Sequence, residues 1–569
     1  MMRRLFVSIF LTPLAALLLA GHVAAQVPPA LAVRAEHGMV VAQEARAVRI
    51  GVDVLKAGGN AVDAAVAVGF AMAVTYPRAG NIGGGGFMVI HLAGGDSVAI
   101  DYRETAPAAA TRDMFLNTAG EADPAKSRDS ALSIGVPGTV AGLALAHAKY
   151  GSGKLSLAAL IAPAIALARD GIPVEDDVAD SLPSVRDRLA RWPASAKIFL
   201  KADGNVIGPG DRLVQRDLAE TLERIARDGT RGFYEGDVAR KLAAAVQAAG
   251  GIMTADDLKN YNATIREPVR GRYRDYEIVS MPPPSSGGVH LIQMLNILEG
   301  YDLAKDGPRN AHALHLMIEA MKRAYADRAT WLGDPETVSV PVKGLTSKAY
   351  AASLRAGIGE AATPPINVRP GNPVIHEGDN TTHYSVVDRD GNAVSNTYTL
   401  NFSYGVGLVA EGTGVLLNNE LDDFTAKAGA TNAYGLVGFE ANLPGPNKRP
   451  LSSMTPTVLL KDGKPVLVTG SPGGSRIITT VLQVIVNALD FKLPIDKAVS
   501  APRLHHQWRP ENVFVEPGIA PEVLDDLAKR GHQITPTRPG TSANSIAVTP
   551  DGLIGAADAR TRGALAAGH

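Results

Sequence analysis

The sequence predicts a layered α+β fold. Three observations carry this reading: an amphipathic helix followed by a wholly apolar one near the N-terminus, hairpin signals in both halves, and a long Ala-, Leu- and Arg-rich middle with helical spacing. Val41 to Lys56 has one apolar face, Gly58-Gly59 stops it, and Asn60 is placed to cap the next helix. Ala61 to Val74 is apolar on every side and so must be buried. Residues 87–92 and 97–102 flank Gly94-Gly95 as a hairpin. From about Ala131 to Leu258 the pattern is helical, and Arg272 to Val279 returns to strand. A rigid loop, Pro282 to Gly288, ends in two candidate caps, Ser285 and Ser286. Helices follow over His290–Leu298 and Asn310–Thr330.

Residues 360–378, with several prolines and glycines and little periodicity, read as a linker. Beyond it, Asp390-Gly391, Asp462-Gly463 and Asp551-Gly552 each join two apolar or alternating runs, predicting three antiparallel hairpins. An apolar helix over Ile477–Leu489 lies between the second and third. The sequence shows no internal repeat.

Bulk properties narrow the function. The chain has 569 residues, 46% hydrophobic and 20% charged, enough to bury a large core. A net charge of −1 offers no basic field for nucleic acid. With no cysteine, disulfides, thiolate nucleophiles and cysteine-ligated zinc are excluded. Arg3 and Arg4, the apolar run Leu5–Ala20 and the small residues Val23-Ala24-Ala25 predict a secretory signal over residues 1–25. The mature protein is then expected to be periplasmic or secreted, with no membrane span.

Thr381 stands where the linker meets the first strand of the C-terminal third. A Thr-Thr pair in such a place is commonly plain sheet, since threonine is β-branched. It becomes chemistry if the chain is cut before it. The freed α-amine, with an unperturbed pKa of about 7.7–8.0, can then take the proton of the Thr381 hydroxyl. Thr399 and Asn401, at the far end of the same predicted hairpin, can return close to it. The turn Thr469 to Arg476 contains Gly473-Gly474 between a strand and a helix, where backbone N–H groups can meet a developing oxyanion.

Together, Thr381-Thr382-His383-Tyr384-Ser385, Asp422-Asp423-Phe424, Pro450-Leu451-Ser452-Ser453-Met454 and Gly470-Ser471-Pro472-Gly473-Gly474-Ser475 resemble the γ-glutamyltransferases, also called glutathione hydrolases, of the N-terminal-nucleophile hydrolase type. Asn81 to Phe87 and Asp101-Tyr102-Arg103-Glu104 extend the resemblance, which runs from about residue 35 to the C-terminus. It implies a four-layer αββα sandwich. It also implies a zymogen that cuts itself between Asn380 and Thr381, giving a large subunit over 26–380 and a small one over 381–569 that remain together as a heterodimer.

The resemblance implies roles as well. Thr381 is the nucleophile, supported by Thr399, and Gly473 and Gly474 form the oxyanion hole. Arg103 clamps the substrate α-carboxylate, with hydrogen bonds from Ser452 and Ser453. Asp423, Glu420 and Asn401 hold the α-ammonium. Glu stands at 420 where some members of the family have Gln. Residues 432–448 resemble a lid loop with Tyr434 as its gate. The implied substrates are γ-glutamyl compounds such as glutathione, with acceptor amino acids or peptides; no cofactor and no metal is implied.

Two alternatives remain open from sequence. One is a related acylase for glutaryl-type or poly-γ-glutamyl substrates; the other is an uncleaved binding protein. His312, His315 and Glu319, which fall on one predicted helix face, are read as packing or capping residues rather than a metal site, and His505-His506 as structural.

Overall fold

The computed structural model describes residues 28–370, 382–432 and 435–569. Two seven-stranded sheets form its centre. The first contains β2 (Gly38–Ala42), β3 (Gly85–His91), β4 (Ser97–Tyr102), β5 (Thr264–Arg266), β8 (Thr382–Asp388), β9 (Ala393–Thr399) and β14 (Leu565–Gly568), in the order β14-β2-β8-β9-β3-β4-β5. The second contains β1 (Ala32–Ala35), β6 (Val269–Tyr273), β7 (Tyr276–Ser280), β10 (Thr457–Lys461), β11 (Lys464–Thr469), β12 (Asn544–Thr549) and β13 (Gly552–Ala557), in the order β1-β13-β12-β11-β10-β7-β6. Every neighbouring pair in both sheets is antiparallel.

Alternation along the strands builds the layers. In β2, Val40 and Ala42 pack with α1 (Ala45–Lys56) and α2 (Ala61–Thr75), while Met39 and Val41 face the other sheet. In β3, Met88 and Ile90 take the helix side and Phe87 and Val89 the sheet side. Each fully buried Val, Ile, Met or Phe among these contributes about 1.5–3 kcal/mol. On the far side, α5 (Gly287–Leu298), α6 (Ala311–Trp331) and α7 (Arg476–Leu489) cover the second sheet. The result is the four-layer αββα sandwich.

The helix α2 is buried along its whole length, as its composition requires. Asn60 caps it in a capping box with Asp63. Tyr384 and Tyr398 reach from β8 and β9 to donate to the carbonyls of Ala65 and Gly69, at 2.9 and 3.0 Å. These bonds tie the central hairpin to the helix layer.

Three boundaries differ from the sequence expectation. Val41 and Ala42 belong to β2, and α1 starts at Ala45 with Glu44 as its cap. The single strand expected over 272–279 is a hairpin, β6–β7, that turns at Arg274 with φ +53°. The helix expected from His290 starts at Gly287, and Ser286 does not cap it; its hydroxyl donates to the Ser452 carbonyl at 2.8 Å. The three expected hairpins form, the third turning at Pro550-Asp551 rather than at Asp551-Gly552, and Asp462 and Gly463 both take positive φ. No described helix is long and apolar enough to cross a membrane.

Candidate functional site

The hairpin β8–β9 runs through the middle of the first sheet, with Thr382 opposite Tyr398. Just past β9, the Asn401 backbone turns through φ +69° and its N–H donates to the Thr399 hydroxyl at 2.8 Å. The Asn401 side chain donates to the Asn419 carbonyl at 3.0 Å, joining this corner to the acidic segment that follows. At the end of β2, Gln43 Oε1 accepts from the Thr382 hydroxyl and from the His383 N–H. Asn380 and Thr381, the predicted cleavage pair, and Tyr434, the predicted gate, lie outside the described residues.

Polar bonds within the first sheet hold the strand next to this corner. His383 Nδ1 is 2.9 Å from Thr397 Oγ1, and its Nε2 is 3.0 Å from Ser385 Oγ. Burial pushes the His383 pKa down to about 3, so the ring is neutral. Gly470, at the end of β11, lies flat against that ring: a Cβ there would fall 2.4 Å from it.

The predicted oxyanion turn follows directly. Gly473 and Gly474 have φ +122° and +58°, conformations that favour glycine, and they immediately precede α7. A Cβ on Gly473 would lie 2.3 Å from Thr541 Cγ2. No described residue accepts from either glycine N–H.

The predicted substrate residues do converge, but on one another. Arg103, just after β4 and fully buried, bonds Glu420 through one terminal nitrogen and Asp423 through the other. Its Nε donates to the Pro450 carbonyl at 2.9 Å, and a terminal nitrogen donates to the Leu451 carbonyl at 3.1 Å. Those carbonyls lead into Ser452 and Ser453. The Ser452 hydroxyl accepts from the Met454 N–H at 3.1 Å, and Ser453 is bonded by the Arg328 guanidinium from α6.

Sequence reasoning missed two participants. Glu104 lies 3.9 Å from the Arg103 guanidinium, fully buried. Burial raises its pKa to about 8, against the pull of Arg103. Burial raises Glu420 too. Three carboxyl groups therefore crowd one arginine, and burial favours the protonated forms of Glu104 and Glu420 while Arg103 is the cation that pairs with them. The adjacency of Glu104 to the predicted clamp was the available signal. Arg328, from a helix read only for its periodicity, carried none.

The residues weighed as metal ligands separate. His312 pairs with Asp306 at 2.8 Å, and His532 joins His315 and Glu319 in its place. The carboxylate of Glu319 is met by Lys322 at 2.9 Å and Arg323 at 2.6 Å. Burial works to raise the Glu319 pKa, but these cations and Thr363 bring it down to about 2. The cluster anchors the chain around Gly359 and Thr363, since His315 and Lys322 bond their carbonyls. His505 bonds Thr479 and Gln507, and His506 accepts from Trp508, so both are structural.

The chain is similar to known proteins over most of its length. The family model described as gamma-glutamyltranspeptidase covers residues 47–568. The glutathione hydrolase proenzyme of Escherichia coli (strain K12) is 52% identical over 539 residues, 94% of this chain and 93% of that protein. Among solved structures, cephalosporin acylase from Bacillus halodurans superposes with a TM-score of 0.85 at 28% identity, covering 99% of both chains. The gamma-glutamyltranspeptidase of Helicobacter pylori has a TM-score of 0.57 at 46% identity, covering 63% of this chain and 99% of that one. On the family match and the shared sequence, the chain belongs to the gamma-glutamyltranspeptidase family.

Proposed function

We propose that this chain is the precursor of a γ-glutamyltransferase and glutathione hydrolase. The observation that carries the reading is the buried meeting of Arg103 with Glu420, Asp423 and Glu104 beside the Thr399–Asn401 corner. One fixed cation and an excess of carboxylates suit a head group that brings one carboxylate and one ammonium. On binding, the substrate carboxylate takes Arg103 and its ammonium takes Asp423 and Glu420, replacing one internal ion-pair set by two crossed ones. The side-chain amide of the γ-glutamyl group is then left to face the nucleophile.

In this reading Thr381, which precedes Thr382 in the chain, is the nucleophile, and Gly473 and Gly474 serve the oxyanion. In maturation the Thr381 hydroxyl attacks the Asn380 carbonyl. The peptide C–N bond breaks to leave an ester and a free amine, and water releases the ester. In turnover the same hydroxyl attacks the γ-glutamyl amide while the new α-amine takes its proton. The two glycine N–H groups hold the oxyanion, and the amine leaves with a proton. Water or an acceptor amine then takes the acyl group.

The proposed products are a signal over 1–25, a large subunit over 26–380 and a small subunit over 381–569, in a protein exported to the periplasm or beyond. The sheet order supports a lasting heterodimer. Strand pairs β2–β8, β2–β14, β9–β3, β13–β1 and β10–β7 all cross the cut. Separating the pieces would break both sheets.

A second reading, a glutaryl-type acylase, is favoured by the likeness to cephalosporin acylase. Such a substrate lacks the ammonium and would leave the buried carboxylates without a second cation, which is costly. Hydrolysis of γ-glutamyl and glutaryl anilides by the cleaved enzyme separates the two: the γ-glutamyl reading requires the γ-glutamyl compound to react faster, and a glutaryl preference defeats it.

A further inference from the structure

The amino-acid pocket accounts for only one side of the bond that breaks. A second cleft, about 100 Å³, opens beside the same corner. Three of its lining residues adjoin described segments assigned to the reaction. Gln43 holds Thr382 and His383, Asn401 bonds Thr399, and Pro472 precedes the oxyanion glycines. The Arg103 ion-pair cluster does not line it.

Its remaining walls are polar and carry positive charge. Arg78 donates through Nε to Ser403 Oγ at 3.0 Å and through one terminal nitrogen to Asp177 at 2.8 Å. Its side chain is 41% exposed. The other arginine of the cleft, Arg560, is 2% exposed and bound by Glu516 and Asp558. Arg78 is therefore the cation of this cleft with a face open to a ligand. Ser542, which also lines the cleft, is buried, and its hydroxyl has no hydrogen-bond partner among the described residues. A part-exposed guanidinium and an unsatisfied hydroxyl suit a carboxylate.

We infer that this cleft is the subsite for the amine partner of the reaction, and that Arg78 selects amines carrying a carboxylate: amino acids and short peptides with a free C-terminus. The inference rests on the γ-glutamyl-transfer reading above. By microscopic reversibility, the departing peptide amine and the incoming acceptor amine occupy the same place. Arg78 is thus a specificity-determining residue for acceptor and leaving group, separate from the Arg103 site that reads the donor.

The test uses the cleaved enzyme, γ-glutamyl p-nitroanilide as donor, and two acceptors that differ only in charge, glycylglycine and glycylglycinamide. The wild type is expected to show a kcat/KM about two- to fivefold higher for the free carboxylate, the range for a partly exposed charge contact. In Arg78→Ala and Arg78→Gln the ratio falls to about one, and in Arg78→Lys it is partly kept. Both acceptors are measured on the same protein, so any general damage cancels in the ratio. A ratio near one in the wild type, or an undiminished ratio in Arg78→Ala, overturns the subsite. Failure of the wild type to release p-nitroaniline from the donor at all overturns the γ-glutamyl reading instead.

Discussion

Arg103 and Asp423 are bonded to each other in the interior, 320 residues apart in sequence, although their chemistry suits opposite ends of one substrate. Removing the cation takes away the ion-pair partner of the buried Asp423 and Glu420 carboxyls. Breaking a buried pair in this way costs about 3–5 kcal/mol. Arg103→Ala is expected to lower Tm clearly, while Arg103→Lys keeps the charge but loses the two-pronged contact. The lysine variant should raise KM for a γ-glutamyl donor by about tenfold or more with a smaller change in kcat. An unchanged KM would remove Arg103 from the substrate clamp.

Thr381→Ala removes the nucleophile for both maturation and turnover. A denaturing gel of that variant should show one uncut chain, and donor hydrolysis should be at background. Substantial turnover by it would refute the assignment of Thr381.

Gly473→Ala tests the oxyanion turn. The added methyl meets Thr541 in a backbone conformation that disfavours any side chain. Loss of one aligned donor costs about 10²–10³ in kcat. The expected outcome is a fall of that order with KM little altered; a KM effect alone would place these glycines in binding instead.

Four buried histidines set the acid limit. Burial lowers His290, His383, His505 and His532 to about 3 each, below their ordinary value near 6.5. Below pH 6.5 the unfolded chain binds protons that the native state refuses, so stability falls as pH falls from about 6.5 towards 3. Tm measured across that range should decline steadily. A flat profile would mean that these rings can be protonated in the native state.

Much of the fold was legible because local chemistry decided it. Asn60 and Asp63 announce a capped helix, and Asp390-Gly391 and Asp462-Gly463 announce their hairpins, since each acts on its own neighbours. The β6–β7 turn was not legible, because Arg274 has no local reason for positive φ. Its N–H is held by Glu299 and its guanidinium by Asp490, both distant in sequence. The site divides in the same way. Arg103, Glu420, Asp423 and the glycine pair could be named from motifs. That the charges pair with each other, that Glu104 joins them and that Arg328 holds Ser453 depends on burial that only the packed sheets create.

The most direct test of the account is the intact mass, with N-terminal sequencing, of the catalytically active protein. The account predicts two chains held together without a covalent link, the smaller beginning at Thr381. An active enzyme consisting of a single chain with residues 380 and 381 still joined would contradict it.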